Sequence, residues 1–299
     1  MPQSKTALVT AASALTAVAL WGLAFPLIQD GLDFFSPVML GFVRFGLASV
    51  VLAAVLVIRF PLAKIREAVV REWKPLLALA LLYVTIPNIA QNLGLQHGTS
   101  SIASVIQSSG PVMTLVFAVI LLREKLTQMK AIGTIVAMSG TVLLVASGGI
   151  SLKDENFVSN ILILISATSY GLAWVSAKKM LERNPPLLVI SLSLMIGTGL
   201  LALALPLDED PMAVFNGDSV LNLIVLGIFC AGVSSVLYLS SLEHEEVSRM
   251  AFFIYLMPVF ASVFAWALRD EGVEPWTAFC GLIIVIGIVV ANRRGRNAP

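Results

Sequence analysis

The sequence predicts an all-α integral membrane protein: ten transmembrane helices arranged as two inverted five-helix repeats, with the N-terminus and the C-terminus both cytoplasmic. Three observations carry that prediction: the apolar composition, the placement of lysine and arginine, and a likeness between the two halves of the chain. Of 299 residues, 58% are hydrophobic and 12% charged, and the mean hydropathy is +0.92. A soluble domain carries about 25% charged residues, so this balance belongs to a chain whose solvent is largely lipid. The formal net charge of +1 points to no nucleic-acid partner. Cys230 and Cys280 fall inside apolar runs and read as packed thiols rather than a disulfide.

The first apolar run, Leu8 to Ile28, reaches the ~20 residues a bilayer span needs and reads as a retained helix rather than a cleaved leader. Pro37 to Ile58, Pro75 to Leu95, Ser101 to Leu122 and Met129 to Ala146 follow in the first half. The second half holds Phe157 to Val175, Leu187 to Leu205, Val220 to Leu242, Val247 to Leu268 and Trp276 to Ala291. Connections are brief, with no room for a soluble domain. The longest, Arg59 to Lys74, reads as a short basic helix lying on the membrane surface.

With the N-terminus inside, cytoplasmic segments hold 16 of the 19 lysines and arginines. Lys153 and Arg269 fall outside, and Arg44 lies within a span. This is the asymmetry the positive-inside rule demands.

The halves, residues 1–150 and 151–299, echo one another. At an offset of 147 residues His97 meets His244, Ser101 meets Ser248, Pro111 meets Pro258, Glu124 meets Glu271 and Gly140 meets Gly287. At 149, WGLAF from Trp21 meets YGLAW from Tyr170. Five spans per half is an odd number, so the second half enters the membrane upside down. Inverted repeats of this kind usually enclose a midplane solute site between two packed units.

Arg44 lies seven residues past Pro37, roughly 10 Å below its helix end at 1.5 Å per residue. An arginine at mid-span costs on the order of 3 kcal/mol. It either snorkels to the interface, lines a wet cavity facing an anionic group, or holds backbone carbonyls of a neighbour. No aspartate or glutamate sits at the middle of any span, so a buried ion pair is not expected and an acidic proton relay is missing. The coupling candidates are His97 and His244, both at helix ends, and uncoupled facilitation or exchange stands beside proton antiport. Asn88, Gln91 and Asn92 share one helix face, as do Ser104, Gln107 and Ser108, and both faces read as cavity wall or as interhelical hydrogen bonding. Their repeat counterparts include Ser235, Tyr238, Ala251 and Tyr255. Trp21, Phe25, Tyr83, Tyr170, Trp174, Tyr238 and Tyr255 form either an apolar pocket between the halves or interfacial belts. Pro111 and Pro258 predict matched kinks that free the carbonyls of Gln107 and Ile254 and serve as hinges. Gly133, Ala137, Gly140 and Thr141, with Gly281 and Gly287, read as close-packing scaffold.

The WGxxF element (Trp21, Gly22, Phe25), Arg44 within VRFGLAS, the block SSIASVIQSSGPVMTLVFAVILLREKLT with its second-half echo, and the glycine-bearing fifth and tenth spans together resemble the EamA family of the drug/metabolite transporter superfamily. The resemblance covers essentially the whole chain. It implies a ten-helix inverted-repeat carrier in the plasma (inner) membrane that exports small metabolites, amino acids foremost, with aromatic or bulky apolar ones favoured if the rings face inward. Another small organic metabolite is the alternative. A lone arginine argues against phosphate-ester solutes. The partners expected are a small-molecule solute and the bilayer, with no cofactor and no metal; monomer and homodimer stay open. An intramembrane enzyme lacks its nucleophile, base and motifs, and a channel lacks a filter-like element.

Overall fold

A computed structural model describes residues 2–97, 106–107, 109–147, 157–208, 211–269 and 275–292. They are helical almost throughout. The first half begins with α1 (Pro2–Leu32) and α2 (Pro37–Arg59), followed by α3 (Leu62–Ala80), which continues through a π-helical stretch, Leu81–Thr85, into α4 (Ile86–His97). It closes with α5 (Gly110–Leu122) and α6 (Gln128–Ser147). The second half holds α7 (Phe157–Leu181), α8 (Pro186–Ala204) and α9 (Gly217–Ile224), the last running through π-helical Val225–Val233 into α10 (Ser234–His244). Then come α11 (Val247–Ile254), α12 (Met257–Arg269) and α13 (Pro275–Asn292). Among the described residues, extended pairing is limited to one antiparallel bridge, Phe35 to Ala213.

Local chemistry sets the helix ends. Prolines open α2 and α8 at their first turns, where a missing N–H is harmless. Asn216 and Ser219 exchange bonds of 2.8 Å in each direction as a capping box for α9. In α3 the backbone leaves helical geometry at Glu72 (φ −112°, ψ 17°), where Pro75 cannot donate one turn back. The basic amphipathic stretch expected between the second and third spans is therefore the first part of α3, set at an angle to the rest.

Six helical stretches are long and apolar enough to cross a membrane: 7–32, 37–59, 62–91, 157–181, 186–207 and 217–244, with shorter apolar helices over 110–122, 247–261 and 278–292. The chain is a multi-pass membrane protein. Exposed apolar side chains such as Val50, Ile58, Ile135, Leu203 and Leu282 coat its outside, as a lipid solvent requires.

The two halves touch in matched ways. α1 packs on α10 and α12, and α7 packs on α4 and α5; α2 packs on α8, α5 on α11, and α6 on α13. Ser49 and Thr198, 149 positions apart, share a hydrogen bond of 2.9 Å. A Cβ at Gly22 would stand 2.5 Å from Phe260 Cβ, and one at Gly171 would stand 3.0 Å from the backbone nitrogen of Thr114. Both glycines thus let a long helix lie directly on the start of a short one in the other half. In the α6–α13 seam, a Cβ at Gly133 would meet Ala291 and the Gly287 carbonyl, and one at Gly140 would meet Ile284 and the Cys280 carbonyl. Gly133, Ala137, Gly140 and Gly287 are thus scaffold positions as expected, whereas Gly281 has only ordinary contacts with Val259.

The prolines differ from expectation. Pro111 is in the first turn of α5, and Pro258 is the second residue of α12, after α11 has stopped at Ile254. Between α11 and α12, Tyr255 and Leu256 make turns, donating to the carbonyls of Phe252 (3.2 Å) and Phe253 (2.9 Å). The ninth span is therefore two helical pieces rather than one kinked helix. Proline is well suited to start a piece because its φ is preset and its lost donor is one no helix start can use.

Candidate functional site

Five of the aromatic residues picked from sequence converge where α1, the α3–α4 helix, α7 and α10 meet. Trp21 stacks on Trp174 (centroids 5.6 Å apart, planes 28°) and tilts against Tyr238 at 4.9 Å. Trp174 also contacts Tyr83 at 4.9 Å and Tyr238 at 4.6 Å, and Tyr170 meets Tyr83 edge-on at 6.0 Å. Tyr83 and Tyr238 come from the two helices that carry π-helical stretches, and at the 147-residue offset Leu81–Thr85 falls within Val225–Val233. Such an insertion rotates everything beyond it and is frequent at functional sites. Here it lets the Tyr83 hydroxyl hydrogen-bond Ser235 Oγ at 2.7 Å, joining the two halves.

Arg44 is turned inward toward α4. Its Nη2 donates to Asn88 Oδ1 at 3.0 Å, and Asn88 Nδ2 donates to the Val84 carbonyl at 2.6 Å, so the amide is held with its oxygen facing the guanidinium. The guanidinium carbon lies 4.6 Å from the Phe45 ring centroid. Nε is buried without a hydrogen-bond partner among the described residues, and so is the Tyr238 hydroxyl. A buried cation with an unused donor beside an aromatic cluster is suited to a group with both an anionic end and an apolar body.

Other expected residues fall elsewhere. Tyr255 is buried, but in a separate cluster with Ala137, Phe252, Cys280 and Ile284 on the α6–α13 side, because the break after α11 turns it away from the rings. Gln91 and Gln107 are half-buried, and Gln107 Oε1 lacks a partner among the described residues. Ala251 is buried in α11. His244 is half-exposed at the end of α10, 3.9 Å from Glu243, remote in sequence and helix position from Arg44. The side chains of Phe25, Asn92, His97 and Pro258, together with Ser101, Ser104, Ser108 and Glu271, lie outside what the structure describes. Cys230 and Cys280 are free and buried.

Sequence reasoning missed two carboxylates. Asp208 accepts from Ser36 Oγ (2.6 Å) and from the N–H groups of Val38 (3.2 Å) and Met39 (3.0 Å), capping α2 from the other half. Glu124 does the equivalent for α11. Glu124 carried one available signal, its match with Glu271 at the 147-residue offset.

A polytopic helical protein whose halves meet around an inward arginine and a ring cluster has the build of a solute transporter. The chain matches the EamA-like transporter family over residues 8–146 and 158–293, and it belongs to that family. It is 26% identical to a probable terminal-alkyne amino-acid exporter of Streptantibioticus cattleyicolor, covering 93% of this chain and 91% of the relative. It is 27% identical to an S-adenosylmethionine/S-adenosylhomocysteine transporter of Chlamydia muridarum, covering 92% and 87%. A crystal structure with 19% identity superposes with a TM-score of 0.83 over 95% of this chain and 96% of the other, a likeness of fold.

Proposed function

We propose that the chain is a secondary carrier that exports small amino-acid-like metabolites by alternating access between two inverted five-helix repeats, residues 1–150 and 151–299, with both termini cytoplasmic. The carrying observation is the Arg44 guanidinium, held on one side with Nε unused; Asn88, which holds it, lies on the continuous helix that also brings Tyr83 into the ring cluster of Trp21, Tyr170, Trp174 and Tyr238. A carboxylate takes the arginine, and an aromatic or bulky apolar side chain takes the rings.

Matched contacts support the repeat: Ser49 with Thr198, Gly22 and Gly171 each on a short helix of the other half, and the crossed glycines of α6 and α13. Placing 16 of the 19 basic residues on one face supports the orientation. The two named relatives both handle solutes with an amino-acid moiety, in keeping with the class but not with one solute. Pro111 and Pro258, at the starts of short helices, are hinge positions, and His97 and His244 stay candidates for ion coupling.

Exchange of radiolabelled amino acids, aromatic ones included, in proteoliposomes tests the reading. Saturable, competable exchange is expected, falling at least 100-fold in Arg44→Ala with folding unchanged. If no amino-acid pool exchanges, the solute class is wrong; equal exchange in the variant removes Arg44 from the site.

A further inference from the structure

The end of α5 holds the single non-glycine residue with positive φ among the described residues, Arg123 (φ 56°, ψ 32°). Left-handed backbone is unfavourable for a residue with a Cβ. It turns the chain so that the Glu124 N–H closes back on the Ala118 carbonyl at 3.2 Å, and the Glu124 carboxylate faces the other half of the molecule. There it accepts the N–H groups of Val247 (2.8 Å) and Ser248 (3.2 Å) and the Ser248 hydroxyl. Those N–H groups open α11 and have no partner within their own helix, and a carboxylate is the charge that a helix start favours. Buried Lys130 lies between Glu124 (3.6 Å) and Glu246 (2.9 Å), and Arg249 holds Glu246 at 2.9 Å. Two carboxylates and two cations balance.

We propose that Glu124 is the latch of a gate, holding α11 against the first half so that the ring cluster is closed off from the end of the molecule where α10 meets α11. This rests on the reading of the chain as an alternating-access carrier. Three features make it a latch rather than a plain cap. First, α11 is a separate eight-residue piece that ends at the Tyr255–Leu256 turns, so it can swing without unwinding a longer helix. Second, the piece beyond the turns is pinned: at Gly22, α1 lies directly on Met257, Phe260 and Ala261 of α12. The piece free to swing at this end is thus α11.

Third, what α11 covers is apolar and what Glu124 faces is polar and open. Met180, Leu181, Leu242, Val247 and Met250 belong to the same buried cluster as Trp174, Tyr83 and Tyr238, so apolar packing is continuous from α11 to the rings. On the other side a cleft of about 390 Å³, lined by Leu122, Glu124, Lys178, Glu182, His244, Glu245 and Glu246, opens beside the latch. A released carboxylate is rehydrated there, so opening does not strand a charge in lipid.

The test is solute-free, so it stands or falls separately from the exchange assay. A cysteine is placed at Met250, which is buried in α11, and its modification by a membrane-impermeant maleimide is timed in proteoliposomes accessible from that face, with the parent protein as background. Slow labelling is expected with Glu124 present, at least tenfold faster labelling in Glu124→Gln, and an intermediate rate in Glu124→Asp. A control cysteine at Leu194, fully buried in α8, is expected to stay unreactive in both. Labelling of Met250→Cys within twofold of the parent rate in a folded Glu124→Gln variant overturns the latch. A parallel rise at Leu194→Cys also overturns it, since that is general loosening. If Glu124→Gln does not fold, Glu124→Asp decides alone: faster labelling supports the latch and an unchanged rate overturns it.

Discussion

Asp208 and Glu124 each reach from one half of the chain to the N-terminus of a helix in the other, at opposite ends of the 28-residue helix that runs from Gly217 to His244. Each accepts two backbone N–H groups and a serine hydroxyl. What differs is the ground behind the cap. Beside Asp208, Ser36 donates to Met212 and Val214 donates to Phe34, both at 2.9 Å, and Phe35 packs edge-on against Phe215 at 5.3 Å. The helix it caps, α2, is continuous for 23 residues. Glu124 instead caps a piece that stops after eight residues, beside an open cleft lined by charged side chains and beside two cations. Identical capping chemistry therefore serves as a fixed clamp at one end and as a releasable hold at the other.

The strongest way to break this comparison is Asp208→Ala. It strands three donors at a buried site, and hydrogen bonds to a charged group contribute about 1.5–3 kcal/mol each before relaxation and water recover part of the loss. A net destabilisation of about 3 kcal/mol is expected by thermal or denaturant unfolding, with labelling of Met250→Cys unchanged. Glu124→Gln is expected to reverse the pattern: a smaller loss, about 1 kcal/mol for a partly replaced cap, with fast labelling. If Asp208→Ala also speeds labelling, the two caps are one cooperative lock and the distinction fails.

Neither cap was legible as such in the sequence, and the reason is physical. A carboxylate just beyond an apolar run reads as an interfacial charge, and only the fold reveals which helix start it meets 123 or 170 residues away. The six long spans were legible because ~20 apolar residues have few other fates. Five of the seven aromatic residues picked from the sequence meet in the ring cluster, since all lie inside apolar runs that pack together. Tyr255 was misplaced because the sequence shows Pro258 but not where helical bonding stops, and two turn residues redirect everything before it. Arg44 was legible as an anomaly; that Asn88 holds it depended on the register of α2 against α4.

A gentler probe is the pinned side of the hinge. Gly22→Ala puts a Cβ 2.5 Å from Phe260 Cβ, with the Ala261 nitrogen at 3.0 Å and the Met257 carbonyl at 3.1 Å. Overpacking of this kind costs about 1–3 kcal/mol. Gly171→Ala, at 3.0 Å from the Thr114 nitrogen, is expected to cost less, toward about 1 kcal/mol. Ranking the two by melting temperature checks whether α12 is the more tightly seated short helix. An equal or inverted order removes the asymmetry that leaves α11 the freer piece at this end.

The smallest effect expected is in pH. Burial pushes the Glu246 carboxyl upward, but hydrogen bonds and charge from Lys130 and Arg249 outweigh it and hold the group below the usual carboxylate range. A carboxyl depressed in the folded protein contributes stability that is complete above its unfolded pKa and is lost as pH falls through the folded value. Divided at each pH by the rate of a free exposed thiol, since maleimide reacts with the thiolate, labelling of Met250→Cys should therefore be flat from pH 8 down to about 4.5 and rise only below it, as Lys130 loses one of its two carboxylates and the Glu124 latch loses its support. Because Glu246 is 41% exposed at its side chain, solvent screening keeps the change modest, within about threefold in rate. Repeating the series in Glu246→Gln checks the cause: a rise that persists there removes Glu246 from the support of the latch, and one that disappears assigns that support to it.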